Sequence, residues 1–283
     1  MTLRDFIPPI ASSLKARFRS AYLTRTQRRT FGSYEEALKE CTSFGYEASD
    51  LVEVVYQKTL AYRDALRSDA PPMTPSDALA LFALGLLFQR SNCIRVLDFG
   101  GACGAHYFRM QSLFPSSLPL RWHVVETPAM VRRARSLQTD SLRFFDTLSE
   151  AKDSLGQIDI VYSSSALQCV PDPHPALTAL IECAGTYLVL PRFGLNAAKT
   201  SLITLHETAL SDNGPGKMPR GIRDGKTRYP MTFLSREAVE SQINQDYEIL
   251  VTVADTSCII PIEGHKLLGL GYVGSRKINA PPR

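Results

Sequence analysis

An acid, three glycines and a second acid stand where a nucleoside-like ligand would meet two neighbouring strand ends. In VLDFGGACGAHYF, residues 96–108, Asp98 precedes Gly100, Gly101 and Gly104, and Glu126 closes the next apolar run. Glycines let backbone N–H groups approach a ligand, and the start of the helix behind them favours a negative group. The dinucleotide pattern G-x-G-x-x-G is not met, because counting from Gly100 its second and third glycines fall on Ala102 and Ala105. An acid two residues ahead of the first glycine repels a pyrophosphate and suits a ligand with an ammonium group. Glu126 is placed to accept both hydroxyls of a ribose. Capping of a strand–helix loop explains either acid alone; the pair at this spacing favours a ligand with a positive end and a sugar.

S-adenosylmethionine has both. Asp146, after the third strand, is placed for its adenine amino group or for capping the helix that follows, and Ser163, Ser164 and Gln168 follow the fourth strand, facing cofactor or substrate unless they cap a helix. His106 and Tyr107 open the helix after the glycines, at the methionine end of the cofactor or in an acceptor pocket; packing accounts for Tyr107 equally. Methyl transfer from a sulfonium is an in-line displacement, so the protein must hold the acceptor and exclude water, and an alcohol acceptor needs a base. His206 and Glu207 in SLITLHETAL are the candidates, with a core or solvated histidine as the alternative, because imidazole titrates near neutral pH. Arg192, Arg220, Arg223 and Arg228, with Tyr229, lie at or after the fifth strand. There the arginines could clamp a carboxylate or phosphate bidentately, or belong to a charged loop.

Only a sheet can bring these residues together. From Ile94 the chain alternates short apolar runs (CIRVLDF, LRWHVVE, LRFF, IDIVYSSS, TYLVLP, YEILVTVA and HKLLGLGYVG) with helical patterns. This predicts βαβ crossovers and an α/β, doubly wound, mostly parallel seven-stranded sheet of Rossmann-like type. ADTSCIIPIEG alone separates the last two runs, so they should pair antiparallel at an edge. Residues 1–90 read as a helical segment capping residues 91–283. Within it, Ser33 and Glu36 form a capping-box pattern for a helix over 34–43 stopped by Gly45, and Ser49 caps a second helix. DAPPM breaks that helix, and Thr74 or Ser76 starts a third, very apolar one expected to be buried. Residues 210–230, LSDNGPGKMPRGIRDGKTRYP, are rich in Gly, Pro and charge and read as a lid loop over the site.

The chain of 283 residues is 44% hydrophobic and 21% charged, with no apolar run near the ~18 residues of a membrane span. Its six cysteines include no C-x-x-C pair and no secretory leader precedes them, which predicts reduced thiols in a cytoplasm, and no spacing asks for a metal. Residues 1–30 carry seven basic side chains against Asp5 alone, amid Leu3, Phe6, Ile7, Ile10, Leu14 and Phe18. Such an arm could lie on an anionic membrane surface or hold a nucleic acid or acidic partner, or be a frayed solvated terminus or a helix packed on the core. No N-P-P-Y element follows the fourth strand, which disfavours a nucleobase acceptor, and neither a three-carboxylate metal pattern nor a G-x-S-x-G elbow is present.

VLDFGGACG and HVVE resemble the first and second motifs of class I S-adenosylmethionine-dependent methyltransferases, with Ala102 in place of the usual central glycine. More narrowly, FGSYEEALKECTSFGYEASDLVE (31–53), VLDFGGACGAHYF (96–108), SSSALQCVPDP (163–173), LVLPR (188–192) and RYP (228–230) resemble a bacterial methyltransferase family often linked to surface-polysaccharide gene clusters. That resemblance spans about residues 31–250. It implies an aromatic beside the helix-starting serine, matched by Tyr34, and an arginine after the fifth strand, matched by Arg192. It transfers cofactor and fold better than substrate. The expectation is methyl transfer from S-adenosylmethionine to an oxygen, less readily a nitrogen, of a small-molecule or sugar acceptor, with no nucleic-acid partner. A non-catalytic scaffold that binds S-adenosylmethionine and an NAD-linked oxidoreductase are the alternatives the sequence leaves open.

Overall fold

A computed structural model describes residues 29–41, 47–68, 71–88, 90–114 and 119–278. The basic arm up to residue 28 and the expected helix stop at Gly45 lie outside the described residues. In chain order the elements are β1 (Thr30–Phe31), α1 (Tyr34–Leu38), α2 (Ser49–Ala65), α3 (Pro75–Phe88), β2 (Ile94–Phe99), α4 (Ala105–Leu113), β3 (Leu120–Val125), α5 (Pro128–Ala134) and β4 (Leu142–Phe145). There follow α6 (Leu148–Leu155), β5 (Ile160–Tyr162), α7 (Pro173–Glu182), β6 (Tyr187–Asn196), β7 (Leu202–Ala209), β8 (Lys226–Ser235), α8 (Arg236–Asp246), β9 (Tyr247–Ala254) and β10 (Leu267–Arg276).

Seven strands form the expected sheet in the order β4–β3–β2–β5–β6–β10–β9. Strands β2 to β6 run parallel, and β10 lies antiparallel to both β6 and β9. Alternate residues of each strand feed two cores. Val96, Trp122, Val124, Phe144 and Tyr162 pack under α2 to α5, while Leu97, Val125, Val161 and Leu188 pack under α6, α7 and α8. The chain moves outward from β2 to β4 and then returns to β5. The reversal between β2 and β5 leaves a crevice at the carboxyl ends of the strands, where open α/β sheets bind ligands.

Three further strands depart from the sequence expectation. β7 and β8 form an antiparallel hairpin running from Leu202 opposite Phe233 to Ala209 opposite Lys226, and β1 adds to the other edge of β7. β8 then joins β6 in parallel through Leu195 with Leu234 and Asn196 with Ser235. Leu202, Tyr229, Met231, Phe233 and Ile262 give the hairpin a small core of its own. Residues 226–230 of the expected lid are therefore strand, and the connecting segment is 210–225. Pro230 is tolerated because β8 pairs at that position with β7 alone.

The amino-terminal helices also differ in detail. α1 ends at Leu38 rather than residue 43. Its start is as expected: Ser33 Oγ accepts the N–H of Glu36 at 3.1 Å, and the Glu36 carboxylate accepts that of Gly32 at 2.9 Å. α2 begins after Ala48, which provides no side-chain cap, so Ser49 is the first helical residue and not the cap. For α3 the cap is Thr74, whose Oγ1 accepts the Asp77 N–H at 3.1 Å while Asp77 accepts the Thr74 N–H at 2.9 Å. α3 is not fully buried. Leu79, Ala83, Leu84 and Leu87 pack inward, but Phe82, Leu86 and Phe88 remain 41%, 37% and 39% exposed, because only one face of the helix, apolar throughout after Asp77, is covered. Among the described residues no helix is long and apolar enough to cross a membrane.

Candidate active site

The glycines after β2 are required by protein neighbours. A Cβ on Gly100 would lie 2.1 Å from Ala166 Cβ, one on Gly101 2.4 Å from Asp98 Oδ2, and one on Gly104 3.1 Å from Leu142 Cδ2. Gly100 and Gly104 also take φ of +75° and +81°, which other residues adopt with strain, and Ala102 between them sits at +49°. The loop thus packs tightly on β4 and on the segment after β5, and its outer surface faces a cavity of about 1040 Å³. That volume is at the upper end of the ~300–1,000 Å³ typical of small-ligand sites, enough for two ligands side by side.

Asp98 is not on the cavity wall. The two-residue period of β2 turns it toward the face covered by α2 to α5, where it exposes no surface. Its Oδ2 accepts the indole N–H of Trp122 at 2.8 Å and lies 3.1 Å from Nδ1 of His106, while Oδ1 is buried without a partner. The contact calls for a hydrogen on His106 Nδ1, donated to the carboxylate. His106 does line the cavity, with its ring 5.0 Å from that of Tyr162.

At the neighbouring strand end Glu126 does line the cavity. Its Oε1 accepts the N–H of Ala102 at 3.1 Å and its Oε2 that of Thr127 at 2.8 Å, so the carboxylate bridges the two loops. Burial pushes its carboxyl above the usual range, against the pull of these two N–H groups. Asp146 is exposed on the same wall, and the cap of α6 is Thr147, whose Oγ1 accepts the Glu150 N–H at 3.3 Å. Ser164 also reaches the cavity.

Four residues expected at the ligand lie behind the wall. Gly104 packs on Leu142 and Phe144. Tyr107 is 4% exposed and packs edge-on against Trp122, its phenol accepting from Gln111 at 3.1 Å. Ser163 is buried, and Gln168 is consumed by Ser165 Oγ at 3.1 Å and the Gly194 N–H at 3.3 Å. Conversely, Tyr162 and the pair Asp77–Arg109 line the cavity without having been singled out. The signal for Tyr162 was available, since it pairs directly with Asp98 across β2 and β5 and shares its face. Arg109 donates to Asp77 Oδ2 at 3.2 and 3.1 Å, and also to the Pro71 carbonyl at 2.9 Å. That pairing joins α4 to the start of α3, which spacing could not disclose.

The hairpin supplies the opposite wall through His206, Tyr229 and Met231. Burial holds His206 down at about 4, so its ring is neutral near pH 7. Its Nδ1 is buried without a hydrogen-bond partner, and its ring packs edge-on to Tyr229 at 5.1 Å. Glu207 also borders the cavity, but its carboxylate is taken by Lys226 at 2.8 Å and Arg228 at 2.6 Å. Burial raises its carboxyl, and these two cations outweigh that and lower it. Saturated in this way, Glu207 is not free to act as a base, and Arg228 does not line the cavity. Arg220 and Arg223 sit in the connecting segment and do not line the cavity, so of the four arginines expected there Arg192 alone reaches it. Among the described residues no group of three or more His, Cys, Asp or Glu could hold a metal ion.

The sequence matches no protein-family model and no curated protein. Solved structures with a similar fold include an amino pentose methyltransferase from Micromonospora echinaspora, CalS10, at 18% identity and a TM-score of 0.43, over 77% of this chain and 95% of that one. An S-adenosylmethionine-dependent methyltransferase from Clostridium acetobutylicum aligns at 11% identity and a TM-score of 0.45, over 78% of this chain and 98% of that one. The sugar N-methyltransferase KedS8 from Streptoalloteichus aligns at 16% identity and a TM-score of 0.41, over 70% and 86% of the two chains. Identities this low transfer no residue's role.

Proposed function

We propose that this cavity binds S-adenosylmethionine beside a small-molecule or saccharide acceptor and directs methyl transfer to an oxygen, or less readily a nitrogen, of that acceptor. The observation that carries the reading is the position of Glu126: an acceptor-rich carboxylate at the end of β3, bridged to the glycine loop of β2 and open to the cavity. It suits a ribose, and Asp146 at the next strand end suits an adenine amino group. His106, held by the buried Asp98, is positioned for the amino-acid end. When bound, S-adenosylmethionine supplies an electrophilic methyl whose bond to sulfur breaks as the bond to the acceptor atom forms.

The chain's own part is to hold the acceptor in line and keep water out. His206, neutral and with an unpartnered Nδ1, can accept the hydrogen bond of the acceptor hydroxyl and take its proton as the bond from oxygen to the methyl forms. Arg192 fixes the acceptor's other end, and the 210–225 segment, joined to α2 through Lys58 Nζ on the Ser211 carbonyl at 2.7 Å, serves as the lid. Surface-polysaccharide assembly is the setting that the sequence resemblance supports.

One observation favours a second reading, a non-catalytic scaffold: the weak basicity of His206 and the saturated Glu207 leave no strong base on the hairpin. Calorimetry with S-adenosylhomocysteine, followed by turnover assays with candidate sugars, separates the two. Binding with turnover is the expected result. Binding without turnover across acceptors would favour the scaffold, and no binding at millimolar ligand would sink both.

A further inference from the structure

We infer that the acceptor presents an oxyanion, a carboxylate or a phosphate, to Arg192, so that the substrate class is an anionic saccharide or similarly charged small molecule. This rests on the methyl-donor reading above and names the chemistry of its second ligand.

Arg192 is aimed by the backbone. Between Leu190 and Phe193 the β6 strand carries two residues, Pro191 and Arg192, opposite the single Gly271 of β10. Such a bulge re-aims a side chain and is common beside active sites. Arg192 takes φ of +54°, a left-handed conformation that strains any residue with a Cβ. Strain of this kind persists where the surrounding structure holds it, and here it places Arg192 on the cavity wall.

The charge there has no protein counterpart. Among the described residues Arg192 takes part in no ion pair, and its Nε is buried without a hydrogen-bond partner. Arg109, also on the cavity wall, differs in carrying an acid partner, Asp77 at 3.1 Å, though its Nη1 too is buried without a hydrogen-bond partner. Of the acids on or behind the same wall, Glu207 is held by Lys226 and Arg228, Asp255 accepts the Ser257 N–H at 3.0 Å, and Asp98, which like Arg192 acts on Tyr162, makes no ion pair with Arg192. A half-buried guanidinium left in this state is costly, and its planar fork matches a carboxylate or phosphate. His206 Nδ1 is a second unpartnered nitrogen on the same wall. Both stand on the strands of the hairpin side, β6 and β7. The glycine loop, Glu126 and Asp146 stand at the ends of β2, β3 and β4. This placement on the hairpin side favours the acceptor over the amino-acid end of the donor as the owner of the oxyanion.

The test uses the full chain, inorganic phosphate as probe against chloride at matched ionic strength, and two donor-site ligands, S-adenosylhomocysteine and 5′-methylthioadenosine, which lacks the amino-acid end. Arg192→Gly suits the left-handed backbone and should fold with an unchanged or higher Tm, while Arg192→Lys keeps the charge. Phosphate affinity is expected to fall at least about tenfold in Arg192→Gly, the loss of one charge-assisted contact, and to be partly rescued in Arg192→Lys. S-adenosylhomocysteine affinity should stay within about twofold. Phosphate binding that is absent, or equal in wild type and Arg192→Gly, overturns the proposal. So does a loss of S-adenosylhomocysteine affinity without a loss for 5′-methylthioadenosine, which would assign Arg192 to the donor's carboxylate. Arg192-dependent phosphate binding in a protein that ignores both nucleosides would keep the anion site and remove the methyl-donor reading.

Discussion

His106 Nδ1 lies 3.1 Å from Oδ2 of Asp98, a carboxylate with no exposed surface that also takes the indole N–H of Trp122 at 2.8 Å. The acid ahead of the glycines therefore reaches the cavity through a histidine. Asp98→Asn takes the charge from the one oxygen that serves both donors and puts an NH2 at the buried, unpartnered Oδ1 position, and is expected to destabilise the chain by ~1–3 kcal/mol. If the pair acts as a unit, Asp98→Asn and His106→Ala should each weaken S-adenosylhomocysteine but not 5′-methylthioadenosine, and the double variant should cost little more than either alone. Additive losses in calorimetry would separate the two residues.

Gly101 has no room for a methyl group, since its Cβ would lie 2.4 Å from the Asp98 carboxylate. Gly101→Ala should lower the unfolding free energy by at least about 2 kcal/mol, and Gly100→Ala, which adds a positive φ to a contact with Ala166, should cost as much. Chemical denaturation reads both. A neutral Gly100→Ala would mean that the segment after β5 yields.

His206 makes stability depend on acid in a defined direction. Its native value of about 4 lies below the ordinary 6.5, so it contributes no penalty above that value. As pH falls from about 6.5 toward 4, the unfolded chain binds the proton first and the native state loses stability, on the order of 3 kcal/mol in all. His206→Gln should remove this part of the pH dependence. His123, also held down by burial, acts with the same sign in both proteins and cancels in the comparison. Equal acid sensitivity of wild type and variant would refute the assignment.

Glu207 is expected to behave as a structural carboxylate. Glu207→Gln breaks the contacts with Lys226 and Arg228 and should cost ~1–3 kcal/mol near neutral pH. Because the native carboxyl is lowered below its ordinary 4.5, this stabilisation is present above that pH and fades as pH falls through it. In turnover assays the variant should keep the wild-type shape of its pH profile. A lost basic limb would return Glu207 to a proton-transfer role.

The 210–225 segment contains Lys217, Arg220 and Arg223, and its base is tied by Ser211 to Asp224 at 3.0 and 2.6 Å. If it closes over bound ligands, trypsin should cut there several-fold more slowly with S-adenosylhomocysteine and acceptor present. Unchanged cleavage would exclude a lid.

The sheet was legible because each of its seven strands is a short apolar run whose position, and not its side-chain detail, sets the order. Glu126 was legible for the same reason: it ends a strand, and strand ends of parallel sheets face the crevice. The hairpin was hidden by Pro230 inside β8 and by the glycine- and proline-rich segment before it, which together read as loop. Asp98 shows the limit more sharply. Its position at a strand end was plain, but the direction of its carboxylate is fixed by Trp122 and His106, and only packing could reveal that. Arg192 was marked by type and place, while the bulge that aims it depends on register with β10, which no single sequence displays.

β6 gives its first three residues to β5 and its last two to β8, with the Pro191–Arg192 bulge between. One strand thus carries a seam. The residues of β6 before the seam pair with β5, in the half of the molecule that would hold the methyl donor, and those after it pair with β8, in the hairpin half that would choose the acceptor. A hairpin exchanged beyond residue 193 could retune substrate choice while the donor half keeps its packing, so the two halves are free to diverge at different rates.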